Sequence, residues 1–125
     1  MKKLIKKDEE WRKILTRLQF NILREKGTEF AFRSSLYYNK EKGKYSCVAC
    51  NNLLFKSEDK YESGTGWPSF TRPASKNSIL YDPNPFKIMI GSEVTCMRCG
   101  GHLGHVFMMD LLFCINWEVL RFLSK

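Results

Sequence analysis

Cys47-Val48-Ala49-Cys50-Asn51-Asn52 and Cys96-Met97-Arg98-Cys99-Gly100-Gly101 are the stretches whose reading decides the fold. Each is a CxxC knuckle that turns two sulfurs toward a common point at about 2.3 Å from a metal, so the pair suits one tetrahedral Zn²⁺. The 45 residues between Cys50 and Cys96 make the metal a staple between two distant strand turns and not the closure of a small loop. A closed four-sulfur shell has no open position for substrate or water, so Cys47, Cys50, Cys96 and Cys99 are expected to hold a structural ion. Two disulfides, or a redox dithiol at one knuckle, are the competing readings of the same four residues. The fifth cysteine, Cys114 in Leu-Phe-Cys-Ile-Asn, has no place in the quartet.

At 125 residues the chain is expected to form one domain, residues 1–125, small enough for a metal staple to matter to its stability. No run approaches the ~18 apolar residues of a membrane span. The opening Met-Lys-Lys-Leu-Ile-Lys-Lys lacks the apolar core of a signal peptide, which points to a cytoplasmic protein with reduced thiols and no membrane partner. The net charge of +8 comes from basic residues spread over Lys2 to Lys7, Lys40 to Lys44, Lys56 to Lys60 and onward, with acids interleaved. Without a recognition helix or stacked aromatics among them, the expectation is solvated surface and no nucleic-acid partner.

The spacing of Trp11, Ile14, Leu15, Leu18, Ile22 and Leu23 places them on one helical face and defines a helical arm over residues 1–26. Thr16 and Gln19 have capping-box spacing, so the arm reads as two short helices broken at Thr16, the second ended by Gly27. Such a stripe packs on its own core or docks a partner. From Phe30 the texture changes to short aromatic and β-branched runs between turn residues, a zinc-stapled β domain over residues 30–125. Strands are expected at Gly43 to Cys47, Leu53 to Lys56, Ile79 to Tyr81, Phe86 to Ile90, Glu93 to Cys96, Gly104 to Phe107, Leu111 to Asn116 and Val119 to Leu123, with a loop at Pro83 and Pro85. The class is mainly β, an α+β fold with short N-terminal helices.

Both histidines fall in His102-Leu-Gly-His105-Val-Phe107, and Cys114 follows nine residues after His105. A return hairpin would place the thiol beside the imidazoles, giving a nucleophile with a proton donor. Imidazolium favours the thiolate, which is the reactive form. A buried Cys114 acting as a small hydrophobe, or a histidine replacing a cysteine on the metal, are the alternatives. Ser63-Gly-Thr-Gly-Trp-Pro-Ser-Phe70 adds glycines for tight turns and an apolar wall of Trp67, Pro68 and Phe70, which suits either a ligand or a packed turn.

Taken in order, Arg24-Glu-Lys-Gly-Thr-Glu29, the knuckle at Cys47, Ser-Gly-Thr-Gly-Trp-Pro-Ser-Phe, the knuckle at Cys96, Gly-Gly-His-Leu-Gly-His-Val-Phe and Phe-Cys-Ile-Asn116 resemble B-type methionine sulfoxide reductases from about Trp11 to Leu123. The resemblance implies two antiparallel sheets with a four-cysteine zinc site, and reduction of the R epimer of methionine sulfoxide, free or in proteins. Cys114 matches the family's nucleophile, which becomes a sulfenic acid as methionine leaves. His102 and His105 match site histidines, one of which would protonate the sulfoxide oxygen and promote its departure. Asn116 matches a polar site residue, and Trp67 the ring that holds the substrate methyl, with Phe70 and Pro68 in support. An external thiol, thioredoxin in most of the family, would restore the cysteine. A monomer is expected.

The chain departs from that pattern in three places. Thr65 stands where many relatives carry a resolving cysteine, so the sulfenic acid must meet its reductant directly. The segment between Phe107 and Cys114 is shorter than usual, and Leu112 replaces a site arginine, removing a fixed donor near the thiolate. Trp117 follows Cys-Ile-Asn where a small residue is usual. An active one-cysteine reductase, a slow or inactive relative, and a basic zinc-binding interaction module are the functional readings that result.

Overall fold

The computed structural model describes residues 2–29, 31–32, 35–82, 91–107 and 112–125. Helices α1 (Asp8–Ile14) and α2 (Arg17–Glu25) open the chain. Asp8, Glu9 and Glu10 lie in the first turn of α1 and Arg12 and Lys13 in its last, the charge order that the helix dipole favours. The break at Thr16 is a full capping box: Gln19 N donates to Thr16 Oγ1 (3.1 Å) and Thr16 N to Gln19 Oε1 (2.9 Å). Thr16→Ala removes an acceptor for an otherwise unpaired helical N–H, and is expected to lower stability by about 1 kcal/mol in urea unfolding of the zinc-loaded protein.

Two expectations for this arm change. Trp11, Leu15, Phe20, Ile22 and Leu23 are buried, but Ile14 and Leu18 are 55% and 48% exposed. The interruption at Leu15 and Thr16 resets the helical phase, so a stripe continuous in sequence does not stay on one face. Helix α2 ends on Lys26 in the left-handed region (φ 59°), not on Gly27. Gly27 is required for a different reason: a Cβ there would lie 1.9 Å from Asn21 Oδ1. The arm packs on the β elements, with α2 against the strand His102–Phe107 and the 3-10 turn Trp117–Val119, and Arg24 Nη1 donating to Cys99 O (3.0 Å).

Nine strands follow among the described residues: β1 (Gly43–Cys47), β2 (Leu53–Lys56), β3 (Lys60–Tyr61), β4 (Ser69–Phe70), β5 (Ile79–Tyr81), β6 (Ser92–Cys96), β7 (His102–Phe107), β8 (Leu112–Ile115) and β9 (Leu120–Ser124). They form two antiparallel sheets, ordered β2-β1-β9 and β3-β4-β8-β7-β6-β5. The core lies between them, where Phe55 stacks on Phe70 (4.3 Å between centroids), Tyr45 meets Phe70 edge-on (5.0 Å) and Phe113 closes on Phe55 (5.9 Å). Strand β7 begins two residues earlier than expected, and β3 and β4 were not expected at all. The strand expected at Phe86 to Ile90, the loop at Pro83 and Pro85, and residue 111 of the expected β8 lie outside the described residues.

Strand β4 is two residues long and follows Pro68, whose carbonyl accepts from Ile115 N (2.9 Å). Its brevity hides it from a periodicity reading, yet it pairs with β8 and draws the Gly-Thr-Gly-Trp turn onto that strand. Successive residues of a strand face opposite sides, so Phe70 enters the core while Ser69 faces outward.

Candidate active site and metal centre

The knuckles connect β1 to β2 and β6 to β7, one in each sheet, and they are folded alike. In the first, Asn51 N donates to Cys47 O (2.8 Å) and Cys47 N to Asn52 O (2.9 Å). In the second, Gly100 N donates to Cys96 O (2.8 Å) and Cys96 N to Gly101 O (2.9 Å). Arg98 Nη1 ties the halves together by donating to Cys50 O (3.0 Å). All four cysteines are buried, and their sulfurs lie within 4.8 Å of one another.

A tetrahedral ion with Zn–S bonds of ~2.3 Å requires sulfur pairs about 3.8 Å apart. Cys47 and Cys99 stand at 3.8 Å and Cys50 and Cys96 at 3.5 Å, too far for a disulfide and right for a shared zinc. The thiols share protons: hydrogen bonds from Cys47, Cys50 and Cys99 push Cys96 far down. Hydrogen bonding to Cys50 and then to Cys96 and Cys99 pushes Cys47 up. A divalent cation bound there would replace those protons, and the four cysteines fit a structural zinc. Both histidines lie outside the quartet.

On the outward face of the larger sheet, Glu93 of β6, His105 of β7, Cys114 of β8 and Ser69 of β4 are successive cross-strand partners. Directly opposed residues point to one side, so these four form a row across the sheet. His102 joins it through a β-bulge. Val94 pairs with Gly104 and Thr95 with His102, which leaves Leu103 as an extra residue in β7. Residues three apart on a regular strand face opposite ways; the bulge puts His102 on the same face as His105, with ring centroids 5.6 Å apart. Gly104 lies between them because β7 and β8 approach closely there: a Cβ would be 2.1 Å from Cys114 O.

The bulge also sets Asn116. The freed carbonyl of Leu103 accepts from both Asn116 N and Asn116 Nδ2, each at 2.9 Å. Asn116 Oδ1 accepts from Glu29 N (3.0 Å), and Glu29 O accepts from Trp67 Nε1 (3.0 Å). One peptide unit on each side of Glu29 therefore fixes two site residues. The Glu29 carboxyl is buried; desolvation pushes its pKa up to about 8, against hydrogen bonds from the Glu118 and Trp117 amides, so it is a neutral acid at neutral pH. Trp117 starts the 3-10 turn above it and is half-buried.

Cys114 is half-buried in a cavity of about 260 Å³ lined by Thr65, Trp67, Gly104, His105, Phe107 and Asn116. Burial pushes the thiol pKa up, partly offset by hydrogen bonds from Ser69 and Thr65. His105 is exposed to solvent, whereas His102 is 4% exposed and held at Nδ1 by Glu93 Oε2 (2.6 Å). Lys26 Nζ reaches the other oxygen of Glu93 (3.3 Å). Burial raises the Glu93 carboxyl, but hydrogen bonds from His102 and Lys26 outweigh it and hold it below the usual range.

The structure thus gathers Cys114, His105, Asn116 and Trp67 at one cavity and sets His102 behind them. Phe70 is fully buried in the inter-sheet core, on the side of β4 away from the cavity, so it supports the site only through the fold. Leu112 pairs with Phe107 at the start of β8. Glu93, Ser69 and Lys26 were missed by sequence reading. Glu93 carried a weak signal, an acid alternating with apolar residues on a buried strand. Lys40, Lys42, Lys44, Lys56 and Lys125, with Glu58 among them, border a separate open cleft of about 950 Å³ with no cysteine or histidine among its described lining residues.

Among proteins of known kind, the chain is 52% identical to a peptide methionine sulfoxide reductase MsrB of Methanosarcina mazei, over 98% of this chain and 91% of the relative. It is 48% identical to the proteins of the same name from Leptospira interrogans, over 94% of this chain and 93% of the relative, and Methanosarcina barkeri, over 96% and 88%. The alignment with the M. mazei protein runs 129 positions, more than the 125 residues of this chain, which therefore lacks positions its relative has. Residues 15–124 match the SelR domain, and over that span the chain belongs to the SelR family, that of the B-type peptide methionine sulfoxide reductases.

Proposed function

We propose that the chain reduces the R epimer of methionine sulfoxide to methionine with Cys114 as nucleophile, in proteins or as the free amino acid. The observation that carries this reading is the placement of a half-buried thiol directly across the strand from a solvent-exposed imidazole, in a cavity walled by Trp67. The Cys114 thiolate attacks the sulfoxide sulfur. The proton released from the thiol passes to His105 and from there to the sulfoxide oxygen. The protonated oxygen breaks from the methionine sulfur and moves to Cys114 as sulfenic acid, and methionine leaves with the electron pair of the S–S bond that the attack had formed. His102, anchored by Glu93, orients His105 from behind. Trp67, fixed by Glu29 O, presents its ring to the substrate methyl, and Asn116 completes the wall.

The other four cysteines are committed to the metal and Thr65 is not a thiol, so an external thiol reduces the sulfenic acid. A first thiol forms a mixed disulfide and releases water; a second thiol restores Cys114 and leaves the reductant oxidised. A dithiol protein of the thioredoxin kind supplies both. A quartet of reduced thiols suits a reducing compartment such as the cytoplasm. Among the described residues no helix is long and apolar enough to cross a membrane.

Zinc-loaded protein incubated with dithiothreitol and racemic N-blocked methionine sulfoxide is expected to consume the R epimer and spare the S epimer on chiral chromatography. Persistence of both epimers would overturn the reading in favour of an inactive relative.

A further inference from the structure

The cavity around Cys114 has no lysine or arginine among its described lining residues, and position 112 is leucine. A half-buried thiolate still needs donors. Asn116 has its amide engaged by Leu103 O and Glu29 N. Besides His105, which faces Cys114 across the strands, two hydroxyls remain beside the sulfur. Ser69 Oγ is 3.6 Å from Cys114 Sγ, and Thr65 lines the same cavity, where its side chain, like that of Ser69, draws the thiol pKa down.

We propose that Thr65 and Ser69 are the donors that receive the Cys114 thiolate once its proton has passed to His105, so that part of the cost of the buried charge is offset by a pair of hydroxyls instead of a fixed cation. Ser63 holds both in place: Ser63 Oγ is 2.7 Å from Thr65 Oγ1 and accepts from Ser69 Oγ at 2.8 Å. Each hydroxyl also has an acceptor for the thiol state, the carbonyl of Trp67, at 3.0 Å from Ser69 Oγ and 3.5 Å from Thr65 Oγ1. When Cys114 carries its proton, the hydroxyls can donate to that carbonyl or to Ser63. When the proton leaves, rotation about one side-chain bond turns each O–H to the sulfur. No donor is stranded in either state, and a hydrogen bond to the charged sulfur is stronger than one to a neutral carbonyl, so the balance favours the thiolate. The pair sits on the strand and turn that also carry Trp67, which couples activation of the nucleophile to the wall that receives the substrate.

This inference rests on Cys114 being the nucleophile. Its test is the pH dependence of Cys114 alkylation by iodoacetamide in zinc-loaded protein, followed by mass spectrometry of the peptide bearing Cys114. Thr65→Val, nearly isosteric, and Ser69→Ala are each expected to raise the pH midpoint and slow alkylation at neutral pH by roughly five- to tenfold. The double variant should shift further, and Thr65→Ser should restore the wild-type midpoint. Thr65→Val also guards against a folding failure in Ser69→Ala, because Thr65 is only half-buried. Wild-type midpoints in Thr65→Val and Ser69→Ala would overturn the proposal, even if the wild-type protein reduces sulfoxide. Shifted midpoints in a protein that reduces neither epimer would sustain the hydroxyl pair and remove the proposed reaction.

Discussion

Cys114→Ala is expected to abolish epimer-selective reduction, lowering single-turnover rates by roughly 10⁴-fold or more, because removal of a covalent nucleophile leaves only binding and electrostatic contributions. The fold should tolerate the change. Cys114 is half-buried on the outward face of β8, and the neighbouring Phe113 and Ile115 supply the core contacts. Zinc content and thermal midpoint should therefore stay close to wild type, separating loss of chemistry from loss of structure. In the wild-type protein, burial raises the Cys114 pKa. The thiolate fraction therefore grows as pH rises toward and through that raised value, and the single-turnover rate should climb over the same range. Turnover surviving Cys114→Ala would have to use a thiol of the metal quartet, and would remove Cys114 from its role.

Cys96→Ser is expected to leave the chain without a cooperative thermal transition. Chelation of the wild-type protein under reducing conditions should do the same. The side chain is nearly isosteric and fully buried, so cavity formation is not the cause. The loss is of one bond in a metal shell whose apparent binding free energy in small zinc modules is about 10–16 kcal/mol. That matches or exceeds the entire net stability of an ordinary domain, about 5–15 kcal/mol. Because the quartet joins a turn of the three-stranded sheet to a turn of the six-stranded one, its failure separates the two faces that bury Tyr45, Phe55 and Phe70. Circular dichroism melts alongside metal analysis decide it. A metal-free protein that melts at the wild-type temperature would exclude the staple.

What could be read from the residues was whatever a short window encodes. A CxxC turn places its sulfurs by its own backbone, so the metal quartet was legible. The Thr16 and Gln19 box lies within one helical turn. Strands β1, β2 and β5 matched as expected, and β6 and β9 within one residue. What escaped depends on partners distant in sequence. No local pattern reveals that Leu103 is an extra residue, because the bulge exists only in register against Val94 and Thr95. Without it, His102 would have faced away from His105. Trp67 and Phe70 are alike as aromatic residues of one motif, but strand β4 sends them to different places, and only pairing with β8 creates that strand. Glu93 acquires its role from His102 and Lys26, which lie on other elements.

The matching hydrogen-bond closures of the two knuckles have a consequence for the order of folding. Each half-site is held by bonds spanning only a few residues, so each can form early and independently on the unfolded chain. Bringing the halves together is another matter, since the facing sulfur pairs are separated by 46 and 52 residues of chain. Closing a loop of that size carries an entropic penalty of roughly 3.5 kcal/mol beyond its constant term. The meeting of the two half-sites is thus the step expected to limit assembly, after which the second pair of sulfurs would bind as an intramolecular ligand. The chain arrives at its metal by capture in two stages.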